Sequence, residues 1–358
     1  MLINSSEEEY KLAVNFCDAF LSSKDRPKYI LGRNGYAESI AKQVRVDGFI
    51  DDFTSDKLYL GRPVYKTESV PNNSLVLSAA TLRPLTAKRR LDEADLENLS
   101  YFTFYRHSGL PLKPISCWDD FAVDFNTNKA NYNWIFDLLM DRESKQTFTS
   151  IVNFRLSGNL FYMKDFSDRQ DSQYFEAFLD LKLDDEVFVD VGGFDGATSL
   201  TFIKKCPGYK AVHFFEPDKN NMLCAMKKLG AYKMIHYHSI GLSDKNEVVC
   251  FTGDGASSKI DSNGFTQIVT DKLDNIIKRP VSYIKMDIEG AERKALSGAK
   301  NIITQYHPKL AICVYHNGND YWAIPKQVLS YRDDYDIYLR HYTEGVDETV
   351  MFFVPKQL

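Results

Sequence analysis

FVDVGGFDGATSL, residues 188–200, decides how this chain is read. An apolar run, FVDV, enters a cluster of three glycines, Gly192, Gly193 and Gly196, and leaves as the start of an amphipathic segment. Glycine is used where backbone must bend sharply or let a ligand approach closely, so the stretch reads as strand, turn and helix with a ligand at the turn. Outward from it the pattern repeats. KAVHFFE (210–216), KMIHYHSIGL (233–242), SYIKMDIEG (282–290) and KLAICVYH (309–316) have the length and apolar density of buried parallel strands. The helical stretches ATSLTFIKKC (197–206), NMLCAMKKLG (221–230) and AERKALSGAKNII (291–303) separate most of them. Before the fourth strand an irregular stretch reads as a small hairpin insertion and a short helix. YDIYLRHY (335–342) and TVMFFV (349–354) close the chain as two strands joined by a polar turn. The fold class expected is α/β, with a mostly parallel sheet ended by an antiparallel hairpin.

The acids around the turn suggest the ligand. Asp190 precedes the glycines, Asp195 sits inside them, and Glu216 ends the second strand twenty residues after Gly196. A carboxylate at the end of that strand can accept hydrogen bonds from both hydroxyls of a ribose. The spacing is not the dinucleotide Gly-x-Gly-x-x-Gly, because position 194 is Phe. Acids lining the turn would repel a pyrophosphate and favour a cationic ligand bearing an amino acid. S-adenosylmethionine, with a sulfonium, an α-amino group and a ribose, suits the set.

These residues carry a family resemblance. FVDVGGFDG, FFEPD (214–218), SIGLSD (239–244) and YIKMDIEGAERKAL (283–296) together resemble the FkbM family of S-adenosylmethionine-dependent methyltransferases over roughly 181–316. The resemblance implies a class I methyltransferase sheet of seven strands and methyl transfer to a hydroxyl oxygen. It implies that Asp190, Gly192, Gly193, Asp195 and Gly196 shape or line the methionine end of the cofactor site. Glu216 would hold the ribose, and Asp218, Ile240 and Gly241 would border the adenine. At the carboxyl ends of the fourth and fifth strands lie Asp287 and His316, the candidate catalytic residues. His316 has general-base chemistry near neutral pH, and Asp287 could contact acceptor or sulfonium. The acids of DIEGAE invite a Mg²⁺ reading, but they also open a helix, where acids favour the positive end of the dipole. No metal is assigned. His341, in the terminal hairpin, is the weaker histidine.

Ahead of this domain, KYILG (28–32), AESIAKQV (37–44), GFIDD (48–52) and SLVLSAA (74–80) read as a small Rossmann-like unit. LGRNGYAESIAKQV, GFIDDF and LGRPVY (60–65) resemble the N-terminal domain of sugar-modifying acyltransferases. That resemblance implies a scaffold or a site for a nucleotide-linked sugar, with Asp51 and Asp52 where a ribose acid could stand. The boundaries expected are an N-terminal helix at 1–25, the Rossmann-like unit at 26–115, an aromatic helical connector at 116–180 and the methyltransferase domain at 181–358.

With 44 basic and 49 acidic residues the net charge is −5, which gives no general attraction to nucleic acid or anionic membrane. No apolar run reaches the ~18 residues of a membrane span, and the first residues lack a signal-peptide pattern. The six cysteines show no Cys-x-x-Cys pair, so neither a zinc site nor a disulfide framework is expected. The function expected is cytoplasmic O-methylation of a sugar or glycan precursor in polysaccharide biosynthesis, with a small-molecule or nucleotide-linked acceptor and a homodimer left open. The rival is a cofactor-holding scaffold whose N-terminal domain docks a partner.

Overall fold

The computed structural model describes residues 7–115, 118–252, 259–260 and 266–356. Residues 116–117, at the start of the expected connector, and residues 253–258 and 261–265, between the third and fourth expected strands, lie outside them. Two compact units are present.

The first unit comprises Met1–Thr127, Gln146–Gln170 and His341–Asp347. Its sheet is built from β1 (Lys28–Leu31), β2 (Gly48–Ile50), β3 (Leu58–Tyr59), β4 (Arg62–Tyr65), β5 (Leu75–Ser78) and β6 (Glu97–Ser100), in the order β3-β4-β2-β1-β5-β6. All neighbours are parallel except β3 with β4. β1, β2 and β5 are buried along their whole length, which is why their apolar runs were legible. β4 and β6 were not read from the sequence. A proline interrupts the first and the second, Glu-Asn-Leu-Ser, is mostly polar. The helix Glu7–Ser22 turns Ala13, Phe16, Cys17 and Phe20 inward, the spacing of one helical face.

The second unit comprises Asn128–Lys145, Asp171–Arg340 and Glu348–Leu358. Residues 116–180, expected as a separate connector, thus divide between the units. Its strands are β7 (Val187–Val191), β8 (Ala211–Phe215), β9 (Ile235–His238), β10 (Gly241–Leu242), β11 (Glu247–Thr252), β12 (Lys259–Ile260), β13 (Thr266–Asp271), β14 (Tyr283–Met286), β15 (Lys309–Cys313), β16 (Tyr335–His341) and β17 (Thr349–Pro355). Seven of them form one sheet, β16-β17-β15-β14-β7-β8-β9. β9 through β15 are parallel to their neighbours there, and β17 runs antiparallel to β15. This is the mostly parallel α/β sheet with antiparallel C-terminal pairing that the sequence led us to expect. The chain leaves β7 toward β8 on one side and returns to β14 on the other, so the ligand crevice belongs at the carboxyl ends of β7 and β14.

Two expectations are corrected in detail. The segment 233–242 is not one strand. It breaks after His238, and β10 pairs with β13 in a second sheet, β10-β13-β11-β12. The helix expected over 291–303 is two, Glu292–Gly298 and Lys300–Tyr306. A Cβ on Gly298 would lie 2.0 Å from the Ser243 carbonyl oxygen, so the glycine permits a backbone approach that a longer regular helix would not need. Among the described residues no helix is long and apolar enough to cross a membrane.

Candidate functional site

The glycine turn is set by close backbone packing at the end of β7. Gly192 has φ +73°, and a Cβ there would lie 1.9 Å from the Asp287 carbonyl oxygen. The Gly192 and Gly193 N–H groups both donate to the Phe215 carbonyl at 3.0 Å, tying the turn to the end of β8. A Cβ on Gly193 would strike the Phe214 ring at 2.1 Å. Phe194 follows with φ +50°, and Gly196, with φ +83°, opens the helix Ala197–Lys205.

A cavity of about 280 Å³ lies beside this turn. Its walls include Gly192, Glu216, Asp218, Ile240, Gly241 and Asp287, six of the residues singled out in the sequence. Glu216 is 7% exposed. Its Oε2 accepts from the Phe194 N–H and its Oε1 from the Asp218 N–H, both at 2.9 Å. Burial raises the pKa of this carboxyl and outweighs those two donors. Asp218 caps the helix Lys219–Leu229 by accepting from Asn220 and Asn221 N–H at 2.9 Å.

Four expected lining residues stand behind the wall instead. Asp190 is fully buried and does not reach the cavity. Its Oδ2 accepts from Ser199 at 2.7 Å, and its Oδ1 lies 3.3 Å from Lys285 Nζ. Lys285 also donates to the Val191 and Gly192 carbonyls at 3.2 and 2.6 Å. Asp195 turns to Lys228 and accepts from the Ala197 N–H. Gly193 and Gly196 pack against Phe214 and Ala225. These four shape the turn.

Asp287 faces the cavity at the end of β14. Its Oδ2 accepts from the Tyr174 hydroxyl at 2.8 Å, and Tyr315 Oη lies 3.4 Å from its Oδ1. Burial opposes its charge, but Lys285, His316 and the Tyr174 hydroxyl outweigh burial and hold the carboxyl below its usual range. His316 is 6% exposed and is absent from the wall. Its Nδ1 lies 3.0 Å from Glu292 Oε1, and its Nε2 lies 3.5 Å from Asp287 and 3.7 Å from Glu289. Burial opposes a charge on the ring, yet these three carboxylates push its pKa up to about 10. An imidazolium cannot take a proton, so the general-base role expected for His316 does not fit its surroundings at neutral pH. His341 is 1% exposed in the first unit, and burial with Arg155 and Arg169 nearby brings its pKa down to about 3.

Sequence reasoning missed Tyr174, Phe194, Thr270 and Glu348. Tyr174 gave a partial signal as one of the many aromatics of 116–180. Thr270 and Glu348 line the cavity from elements whose local pattern says nothing of a site. In the first unit, Asp51 pairs with Arg33 at 2.7 Å, while Asp52 accepts from the Thr67 N–H at 2.7 Å and pairs with Arg90 at 2.9 Å. The first turn of the helix Pro84–Glu93, where an anion could sit, receives the Glu344 carboxylate on the Thr86 N–H at 2.8 Å.

Residues 190–343 match the model of the methyltransferase FkbM domain. The structure is similar to that of methyltransferase FkbM from Methylobacillus flagellatus KT, with a TM-score of 0.76 and 23% identity over 97% of this chain and 98% of that one. A rRNA methylase from Streptococcus thermophilus aligns with a TM-score of 0.34 and 14% identity over 50% of this chain and 92% of that one. None of the curated proteins compared matches the chain.

Proposed function

We propose, from the match of residues 190–343 to the model of the methyltransferase FkbM domain, that the chain moves a methyl group from S-adenosylmethionine to a hydroxyl oxygen of a sugar or glycan precursor in the cytoplasm. The observation that carries the reading is Glu216. Two backbone N–H groups fix one lone pair on each of its oxygens, and the carboxylate faces the cavity with acceptor capacity to spare. That is the requirement for holding a ribose diol. Gly192 supports it, since the side chain it lacks would crowd the turn where the methionine end would lie.

When bound, the cofactor supplies an electrophilic methyl on a sulfonium. Glu216 would hold the ribose, while Asp218, Ile240 and Gly241 would border the adenine. Asp287, ionised and steadied by Tyr174 on one oxygen, accepts a hydrogen bond from the acceptor hydroxyl on the other and takes its proton as the oxygen gains the methyl. His316 serves as the positive charge that keeps Asp287 ionised, a positioning role. The sugar class is supported by the likeness of the first unit's sequence to sugar-modifying acyltransferases, with nucleotide-linked sugars the first acceptors to try.

Calorimetric titration with S-adenosylhomocysteine tests the premise of the site. One ligand should bind per chain with micromolar affinity, and Glu216→Ala should weaken it more than tenfold. Equal affinity in a folded Glu216→Ala chain would sink the assignment.

A further inference from the structure

The cavity at the glycine turn is ill suited to a phosphate. Among the described residues its wall holds five acids, Glu216, Asp218, Asp287, Glu289 and Glu348, and neither lysine nor arginine. Such a wall accepts hydrogen bonds from hydroxyls and repels anions. The sign of the charge reverses across one loop. Asp287, Ile288, Glu289 and Ala291 line the cavity, while Gly290 lines a second groove of about 680 Å³, a volume in the range of ligand sites. This groove is walled by the helices Glu292–Gly298 and Asp320–Tyr331. Gln327 joins them, its Nε2 donating to the Arg293 carbonyl at 2.8 Å and to Ser297 Oγ at 2.9 Å. Arg293, Lys294 and Lys326 line the groove, and among the described residues none of the three pairs with an acid. The one acid among the described residues of its wall, Asp320, is 1% exposed, and its Oδ2 accepts from the Asn317 N–H and side-chain amide at 2.9 Å. Half-buried Trp322 adds a flat ring, with Lys326 Nζ 5.8 Å from its centroid. Residues 322 and 326 are one helical turn apart and so share a face of their helix.

We infer that this groove binds the diphosphate and base of a nucleotide-linked sugar, whose sugar crosses the 287–291 loop into the cavity and brings a hydroxyl to Asp287. Arginine and lysine hold phosphate through charge-assisted hydrogen bonds, and an indole stacks with a nucleobase. The inference rests on the methyl-transfer reading for what it says of the sugar. It divides the acceptor by charge, an anionic handle outside and a neutral ring inside. A free sugar lacks the handle and is therefore a poor acceptor.

The test is calorimetric titration of uridine diphosphate into the full chain, with inorganic pyrophosphate and S-adenosylhomocysteine titrated into further portions of each sample. One uridine diphosphate should bind per chain, at least threefold more tightly than pyrophosphate. Arg293→Glu and Lys326→Glu should each weaken it at least tenfold, and Trp322→Ala at least threefold. Lys227→Glu, the same charge change at an exposed position of the helix Lys219–Leu229, should alter it less than twofold. S-adenosylhomocysteine affinity should stay within threefold in all four. Arg293 and Lys326 are exposed, so their variants should fold, which circular dichroism checks. Absence of uridine diphosphate binding to the folded chain overturns the inference. So does equal binding in wild type and the folded Arg293→Glu and Lys326→Glu chains, or an equal loss in Lys227→Glu. Pyrophosphate binding as tightly as uridine diphosphate overturns the nucleotide part. A chain that binds S-adenosylhomocysteine but not uridine diphosphate loses the groove and keeps the methyltransferase reading. A chain that binds uridine diphosphate with the expected variant pattern but not S-adenosylhomocysteine keeps the groove and loses that reading.

Discussion

Glycine 192 has two constraints in one residue, a positive φ and a carbonyl oxygen 1.9 Å from where a Cβ would be. The obstacle is backbone, so it cannot swing aside. Gly192→Ala should therefore cost more than ~2 kcal/mol of stability and abolish S-adenosylhomocysteine binding, readable by urea unfolding and calorimetry. His341 illustrates the opposite use of a polar residue, a histidine kept neutral by burial. Its folded pKa of about 3 lies below the ordinary value of 6.5. As pH falls below 6.5, the unfolded chain takes up a proton that the folded chain refuses. The stability is thus present above pH 6.5 and is lost as pH falls toward 3, at up to about 1.4 kcal/mol per pH unit. His341→Leu lacks that proton, so the unfolding free-energy gap between wild type and variant should shift at that slope between pH 6 and 4. A gap that stays constant would mean the ring titrates alike in both states.

At the scale of elements, β7 and β14 are joined by more than their ladder. Lys285 and Asp190 are direct partners in the parallel register, and their side chains form a buried pair that also grips the Val191 and Gly192 carbonyls and Ser199. This arrangement connects strand, turn and the following helix. Lys285→Met would leave Asp190 as a buried charge without its counterion, a loss of about 3–5 kcal/mol in urea unfolding. Adding Asp190→Asn should recover part of it, because the uncompensated charge goes. If the single variant were as stable as wild type, the pair would not be what holds the turn.

At the scale of the molecule, both units are discontinuous in sequence. The second unit needs residues well before its first large-sheet strand. Arg340, 4% exposed, pairs with Asp141 at 2.6 Å and donates to Ser144 at 2.8 Å, and Tyr174 steadies Asp287. A fragment of residues 181–358, the domain as its motifs delimit it, lacks all three partners. It should be recovered insoluble, or should bind S-adenosylhomocysteine at least tenfold more weakly than the full chain. Full affinity in a soluble fragment would show that the early segments are dispensable.

How legible each feature was follows from the range of the forces behind it. Buried parallel strands need continuous apolar runs, so β1, β5, β7, β8, β14 and β15 could be read directly. Tight turns need glycine, which exposed 192–196, and a helix following a strand places Glu216 and Asp218 at a known edge. β6 and the break after His238 escaped because packing, not local preference, sets them. The functional distinction among the acids escaped for a deeper reason. Whether Asp190 lines a cavity or pairs with Lys285, and whether His316 is a base or an imidazolium among carboxylates, depends on distances of a few ångströms between side chains from different strands. Charge and desolvation act through space, and those distances exist only once the chain has folded. The sequence by itself determined the sheet, the glycine turn and the place of Glu216 and Asp218 at the strand end; the tertiary structure decided which residues face the cavity and what charge they carry there.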